Sequence, residues 1–212
     1  MRKFSLLLAA VVISAVSFAQ DIHYSQFYAS PLTLNPALTG LNECNYRVGA
    51  MYRNQWSSVS DDPYQTPSIS FDINNVLQRV IKKGTLSAGA LILNDKAGAG
   101  DLSNLTIQGS AAYQFAVTSN RKLNLSLGIQ FGYTQKKIDF SKLTFEEQFN
   151  GEDFDPTLSN QEAFDDKFGY VDLNAGAYLS YAASKNADIF LGGAAFHLLS
   201  PKEKFLNSGP DN

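Results

Sequence analysis

The sequence predicts an all-β protein: a transmembrane antiparallel β-barrel, read in part, behind an irregular N-terminal segment. Three observations carry this reading. Long runs alternate apolar and polar residues with period two. Two of them span about 11 residues, as a tilted bilayer-crossing strand requires (~9–11), where soluble strands average ~5–6. Aromatic residues form 12% of the chain against only 17% charged, and they gather near the run ends, as in outer-membrane girdles. A soluble β-sandwich is the competing class, and strand length and girdle both argue against it.

The chain opens with Arg2 and Lys3, an apolar run from Phe4 to Phe18, and the small-x-small triplet Ser17-Phe18-Ala19. This is a signal-peptide pattern over 1–19, too short for a membrane-spanning helix, with cleavage expected before Gln20. Losing Arg2 and Lys3 leaves 15 basic and 20 acidic residues, a net charge of −5, which argues against nucleic acid as a partner. The single cysteine, Cys44, excludes an internal disulfide framework.

Residues 20–44 follow as a lead-in or hatch segment, and 45–212 as the barrel. The lead-in holds His23, Tyr24, Phe27 and Tyr28, and Pro31 and Pro36 interrupt any long helix or central strand. About seven to eight strands are readable, and seven can be placed. Asn45–Trp56 sets Tyr46, Val48, Ala50 and Tyr52 against Arg47, Gly49, Met51 and Arg53. Pro67–Ile73 alternates Ile69, Phe71 and Ile73 with Ser68, Ser70 and Asp72. Gly84–Leu93 is weaker. Leu105–Phe115 and Leu123–Tyr133 alternate cleanly, as does Val171–Tyr181. Asp188–Leu198 is glycine-rich, with Phe190, Ala194, Phe196 and Leu198 on one face.

Connections after strands one, three and five read as longer than those between, with 134–167 the longest; 74–83 reads as one amphipathic turn of helix. Short periplasmic turns and longer outer loops then place the N-terminus in the periplasm. Seven is an odd number, and open sheet edges are costly in hydrocarbon. The expectation is a chain that forms the front part of a longer protein.

Chemistry-bearing motifs are scarce. His23 and His197 are the only histidines, and no metal, nucleotide or nucleophile motif is present. No catalytic, cofactor-binding or metal residues are assigned. Glu152, Asp153 and Asp155 lack calcium-loop spacing. They belong to a segment with nine acidic residues and four lysines, which reads as a solvated acidic loop. The cluster Tyr52, Arg53, Asn54, Gln55 and Trp56 is either an interfacial anchor or a recognition cluster on the outer rim.

The blocks "HYSQFYASPLTLNPALTG", "YRNQW", "LNDKAG", "IDFSKLTFEEQF", "VDLNAG" and "FHLLSPKEKF" occur in order. Together they resemble the PorP/SprF family, outer-membrane proteins of the type IX secretion system of Bacteroidetes, from Asp21 to about Leu206. The resemblance implies a non-enzymatic barrel of the cell outer membrane. It would assist secretion or surface anchoring of large adhesins of the gliding-motility kind. Its implied partners are outer-membrane lipid, the secreted adhesin and other type IX components. "LNPALTG" is also similar to the Asn-Pro-Ala start of fatty-acid-channel-like barrels, whose N-terminal stretch folds into the lumen. This makes Tyr24, Phe27, Tyr28, Asn35, Pro36 and Ala37 candidate hatch residues. Tyr24, Phe27 and Tyr28 are expected to pack on the inner wall, although a linker that merely covers an edge fits the same residues. A channel for small apolar solutes is the alternative function, and a polar inner face argues against it.

Overall fold

A computed structural model describes residues 22, 24–60, 62–77, 83–98, 100–143, 145–149, 151, 153 and 165–200. The expected signal peptide at 1–19, His23, residues 78–82 of the expected amphipathic turn, Glu152, Asp155 and residues 201–212 lie outside them.

Seven antiparallel strands pair in chain order and curl into a half-barrel. They are β1 Tyr46–Gln55, β2 Tyr64–Ile73, β3 Thr85–Ala97, β4 Leu102–Ala116, β5 Leu123–Lys137, β6 Lys167–Ser184 and β7 Ala187–Ala195. No described helix is long and apolar enough to cross a membrane.

Period-two alternation sorts the side chains onto two faces. In β5, Leu127, Ile129, Phe131 and Tyr133 stand on the outer face and are exposed. Ser126, Gly128, Gln130, Gly132 and Thr134 are buried on the inner face. The register carries this division across the sheet, because Gln130 lies opposite Ser110 on β4 and Asn174 on β6. Apolar outer positions run from Leu105 to Phe115, Leu123 to Tyr133 and Val171 to Tyr181 on the three longest strands. The inner face is mostly polar, with Leu91 and Leu93 of β3 and Ala112 of β4 as its buried apolar residues among those described.

Three readings need correction. The segment 94–104 is not a long loop: Asn94 pairs with Leu105, and Ala97 with Leu102, leaving a turn at 98–101. Its charged residues hid a strand that still alternates, with Asp95 accepting from the Thr66 hydroxyl on β2. Similarly, β5 runs on to Lys137 and β6 begins at Lys167, so the long connection is 138–166. The loop-length alternation then rests chiefly on that one connection, since 98–101 is shorter than 74–84. In β7, Phe190 and Ala194 oppose Ser180 and Gly176, which places them on the inner face. Phe190 stacks there on Tyr178, ring centroids 5.9 Å apart. Phe196 and Leu198 lie beyond the strand's end. Glycine and alanine dominate β7, so its apolar periodicity is too weak to assign a face.

The end of the sheet near 98–101 is clasped. Asp101 pairs with Lys142 and with Lys96 at 2.6 Å. The Asp139 amide donates to Gly100 O at 2.8 Å, and Leu143 packs over Gly100. Hydrogen bonds from Lys142 and Lys96 hold the Asp101 carboxyl down at about 2. A depressed carboxylate contributes above its unfolded value and loses that contribution as pH falls through its folded one. The clasp is therefore intact at neutral and mildly acidic pH and opens only near pH 2. An NMR titration should find the Asp101 midpoint near pH 2, with Asp101→Asn accelerating hydrogen exchange at the Asp139 amide. A midpoint near 4 with unchanged exchange would contradict the clasp.

Candidate functional site

The N-terminal segment lies against the inner face. Pro31 and Pro36 each start a short helical turn, Pro31–Leu34 and Pro36–Leu38, where a missing N–H costs nothing. Asn35 sits between them in extended backbone, and its Oδ1 accepts from the Ala37 amide at 2.8 Å. That cap leaves the Asn35 Nδ2 free to donate outward, to Ala177 O at 3.1 Å and Gly193 O at 3.2 Å. It reaches bare backbone because Gly176 and Gly192 carry no side chains there.

Two glycines form the seat. Gly128 and Gly176 are register partners on β5 and β6. A Cβ on Gly128 would strike the Pro36–Ala37 peptide, and one on Gly176 would strike the Asn35 side chain. Around this saddle the wall's polar groups take up the segment's backbone. Ser126 Oγ donates to Ala37 O at 2.6 Å, Gln130 Nε2 to Leu32 O at 3.2 Å, and Gln114 Nε2 to Thr39 O at 3.2 Å. The buried Thr39 hydroxyl donates to Pro36 O at 2.8 Å and meets the Ser110 hydroxyl at 2.9 Å. Each such bond is worth ~0.5–1.5 kcal/mol net, and an unmade one costs ~1–3.

A charged clamp closes the segment's C-terminal end. Asp72 is 1% exposed and accepts two bonds from Arg47, from Nε at 2.8 Å and Nη2 at 2.7 Å. The same carboxylate accepts from the Gly40 amide at 2.6 Å, while Arg47 Nη2 donates to Leu38 O at 3.2 Å. Gly40 has φ +64° and lies against Ser87 of β3, so both its backbone and its lack of a side chain are used. Hydrogen bonds thus tie residues 32–40 to β1, β2, β4, β5, β6 and β7. Further along the inner face, Asn174 Nδ2 donates to Gln130 Oε1 at 3.1 Å, and the His197 amide donates to Asn174 Oδ1 at 2.9 Å. The His197 ring reaches Asp172 at 2.9 Å.

The candidate residues divide. Asn35, Pro36 and Ala37 are buried in the seat, and Tyr24 is buried within electrostatic reach of Arg53 and Asp95. Phe27 and Tyr28 do not pack on the wall; they are 58% and 69% exposed and meet each other edge to face, centroids 5.9 Å apart. The helical turns put Leu32 and Ala37 on the wall instead. Tyr52 to Trp56 stay apart from the seat, except for the inner-face Arg53. Tyr52 is exposed on the outer face, Asn54 and Gln55 end the strand exposed, and Trp56 stacks edge to face on Tyr64 at 5.2 Å. Asp72, Ser126, Gly128 and Gly176 were missed as seat residues. Polar and glycine residues on one face of otherwise alternating strands were the signal available. No group of three or more metal-binding side chains gathers among the described residues.

A family model described as "Type IX secretion system membrane protein PorP/SprF" matches residues 16–210. No curated protein and no solved structure matches the chain.

Two substitutions test the seat. Gly176→Ala should unseat Asn35 and cost about 1–3 kcal/mol, the usual range for overpacking. It should also speed hydrogen exchange at Ala37 in the folded protein. Arg47→Ala should cost about 3–5 kcal/mol by leaving Asp72 buried and unpaired, and Arg47→Met with Asp72→Asn should recover part of that. Wild-type stability in both single variants would show that the segment rests loosely on the wall.

Proposed function

The chain belongs to the PorP/SprF family of type IX secretion system membrane proteins, and we propose that it works as a non-enzymatic barrel component in the outer membrane. One observation carries this reading: the outer face is an exposed apolar belt while the opposite face is polar and filled by the chain's own N-terminal segment. Eleven residues, as from Leu123 to Tyr133, extend ~36 Å and stand ~25 Å tall at ~45° tilt, the height of an outer-membrane belt. In water that belt would be an aggregation surface. Against lipid it needs no partner.

In this reading residues 1–19 direct export and are removed, and 20–44 form an inner hatch. The long connection 138–166 stands on the outer side. That loop, with the rim cluster Tyr52 to Trp56, contacts a secreted adhesin or another type IX component. The seat explains how a short, proline-broken segment closes the inside: Asn35 caps its own turn while bonding the wall. The apolar-solute channel fares worse, because Arg47, Arg53, Gln108, Gln130, Asp172 and Asn174 line the inner face.

Replacing 139–165 by a short turn should abolish adhesin display while the protein stays in the outer-membrane fraction. Unaltered display would refute the loop's role. Phe131→Arg, in the middle of the belt, should lower stability in bilayers by about 2–4 kcal/mol. An effect below 1 kcal/mol would mean that this face does not meet lipid.

A further inference from the structure

The outer face changes character in rows. Ile92, Ile107, Tyr133 and Val171 make the last wholly apolar row, since Ile107 pairs with Tyr133 and Tyr133 with Val171. Two residues further along each strand come Asn94, Leu105, Gln135 and Gly169. The next row is Lys96, Ser103, Lys137 and Lys167, joined by direct register across four adjacent strands. Lys96 is matched by Asp101. Lys137 and Lys167 face each other directly, and neither has an ion-pair partner among the described residues. Like charges opposed across a ladder destabilise it, so this pair calls for an anion.

Geometry says where that anion sits. Four residues of strand place the lysine row ~13 Å along the strand from Tyr133, ~10 Å in height at a ~45° tilt. That is the depth of the lipid headgroups, and lysine stems bend back toward apolar surface. Tyr133 lies across Gly169, where a Cβ would strike its hydroxyl oxygen. Its phenol therefore rises from the belt with the hydroxyl turned toward the lysines. With no side chain at Gly169 the phenol lies over the strand backbone, so its O–H stands one outer-face position from Lys167, the register partner of Lys137.

We propose that Lys137, Lys167 and the Tyr133 hydroxyl form a binding site on the lipid-facing wall for the phosphate group of an anionic lipid. The site rests on the lipid-facing reading of the outer face and adds a specific headgroup to it. The lysines supply charge and the phenol a hydrogen bond, while the apolar row beneath receives the acyl chains. The occupant is a membrane lipid, because free phosphate gains nothing from the row of Ile107, Tyr133 and Val171.

The test uses the purified protein in nanodiscs of phosphatidylcholine alone, or doped with phosphatidylglycerol or lipid A, with bound lipid counted by native mass spectrometry. The wild type should retain anionic lipid selectively. Lys137→Gln with Lys167→Gln should weaken retention about thirtyfold, at roughly fivefold per lysine. Lys137→Arg with Lys167→Arg should restore it. Equal retention by the glutamine variant, or loss of retention to millimolar inorganic phosphate, would overturn the site. Inserted protein without lipid preference would reject the site alone. Failure to insert, read from heat-modifiable gel mobility, would reject the lipid-facing reading and the site with it.

Discussion

A sheet that turns its apolar side chains outward has no hydrophobic core to fold around. That constraint shapes the rest of this protein. The inner face must be satisfied by polar contacts, since its serines, glutamines and aspartates are enclosed by the curl of the strands. An unpaired buried polar group costs as much as a hydrogen bond gains. The N-terminal segment answers this chiefly with backbone carbonyls and the Gly40 amide, joined by the side chains of Asn35 and Thr39. Leu32, Ala37, Leu38 and Thr39 each offer a carbonyl to a different wall residue. Proline suits such a segment because it breaks regular structure, which would use those carbonyls internally.

The Arg47–Asp72 clamp illustrates the balance. Burying a carboxylate is expensive, and one ion pair barely offsets it. Here Asp72 accepts three bonds, two from Arg47 and one from the Gly40 amide, so both oxygens are used. The pair also sits on β1 and β2, where the chain turns from the lead-in to the sheet. It locks the start of the sheet to the segment that fills it.

The faces of β1, β2, β4, β5 and β6 were legible because period two is a local signal and survives in runs such as Leu123–Tyr133. The ends were not. Asn94, Asp95 and Lys96 look like a loop by composition, yet their partners across the ladder make them a strand. In β7 the glycines erase the contrast between faces. Asn35 and Pro36 stood out as unusual, but what they touch lies some 90 to 160 residues away, and no local pattern specifies it. Phe27 and Tyr28 misled for a related reason: aromaticity suggests burial, while the helical turn decides which side chains reach the wall.

The central claim is that one face of the sheet meets lipid and the other meets the chain itself. Spin labels placed singly at positions 126, 127, 129, 130, 131 and 133 of β5, in bilayers, test it most directly through collision with oxygen and with a water-soluble nickel chelate. High oxygen accessibility at 127, 129, 131 and 133, with low accessibility to either probe at 126 and 130, is the result this account requires. Nickel accessibility at the odd positions, or no alternation at all, would contradict it.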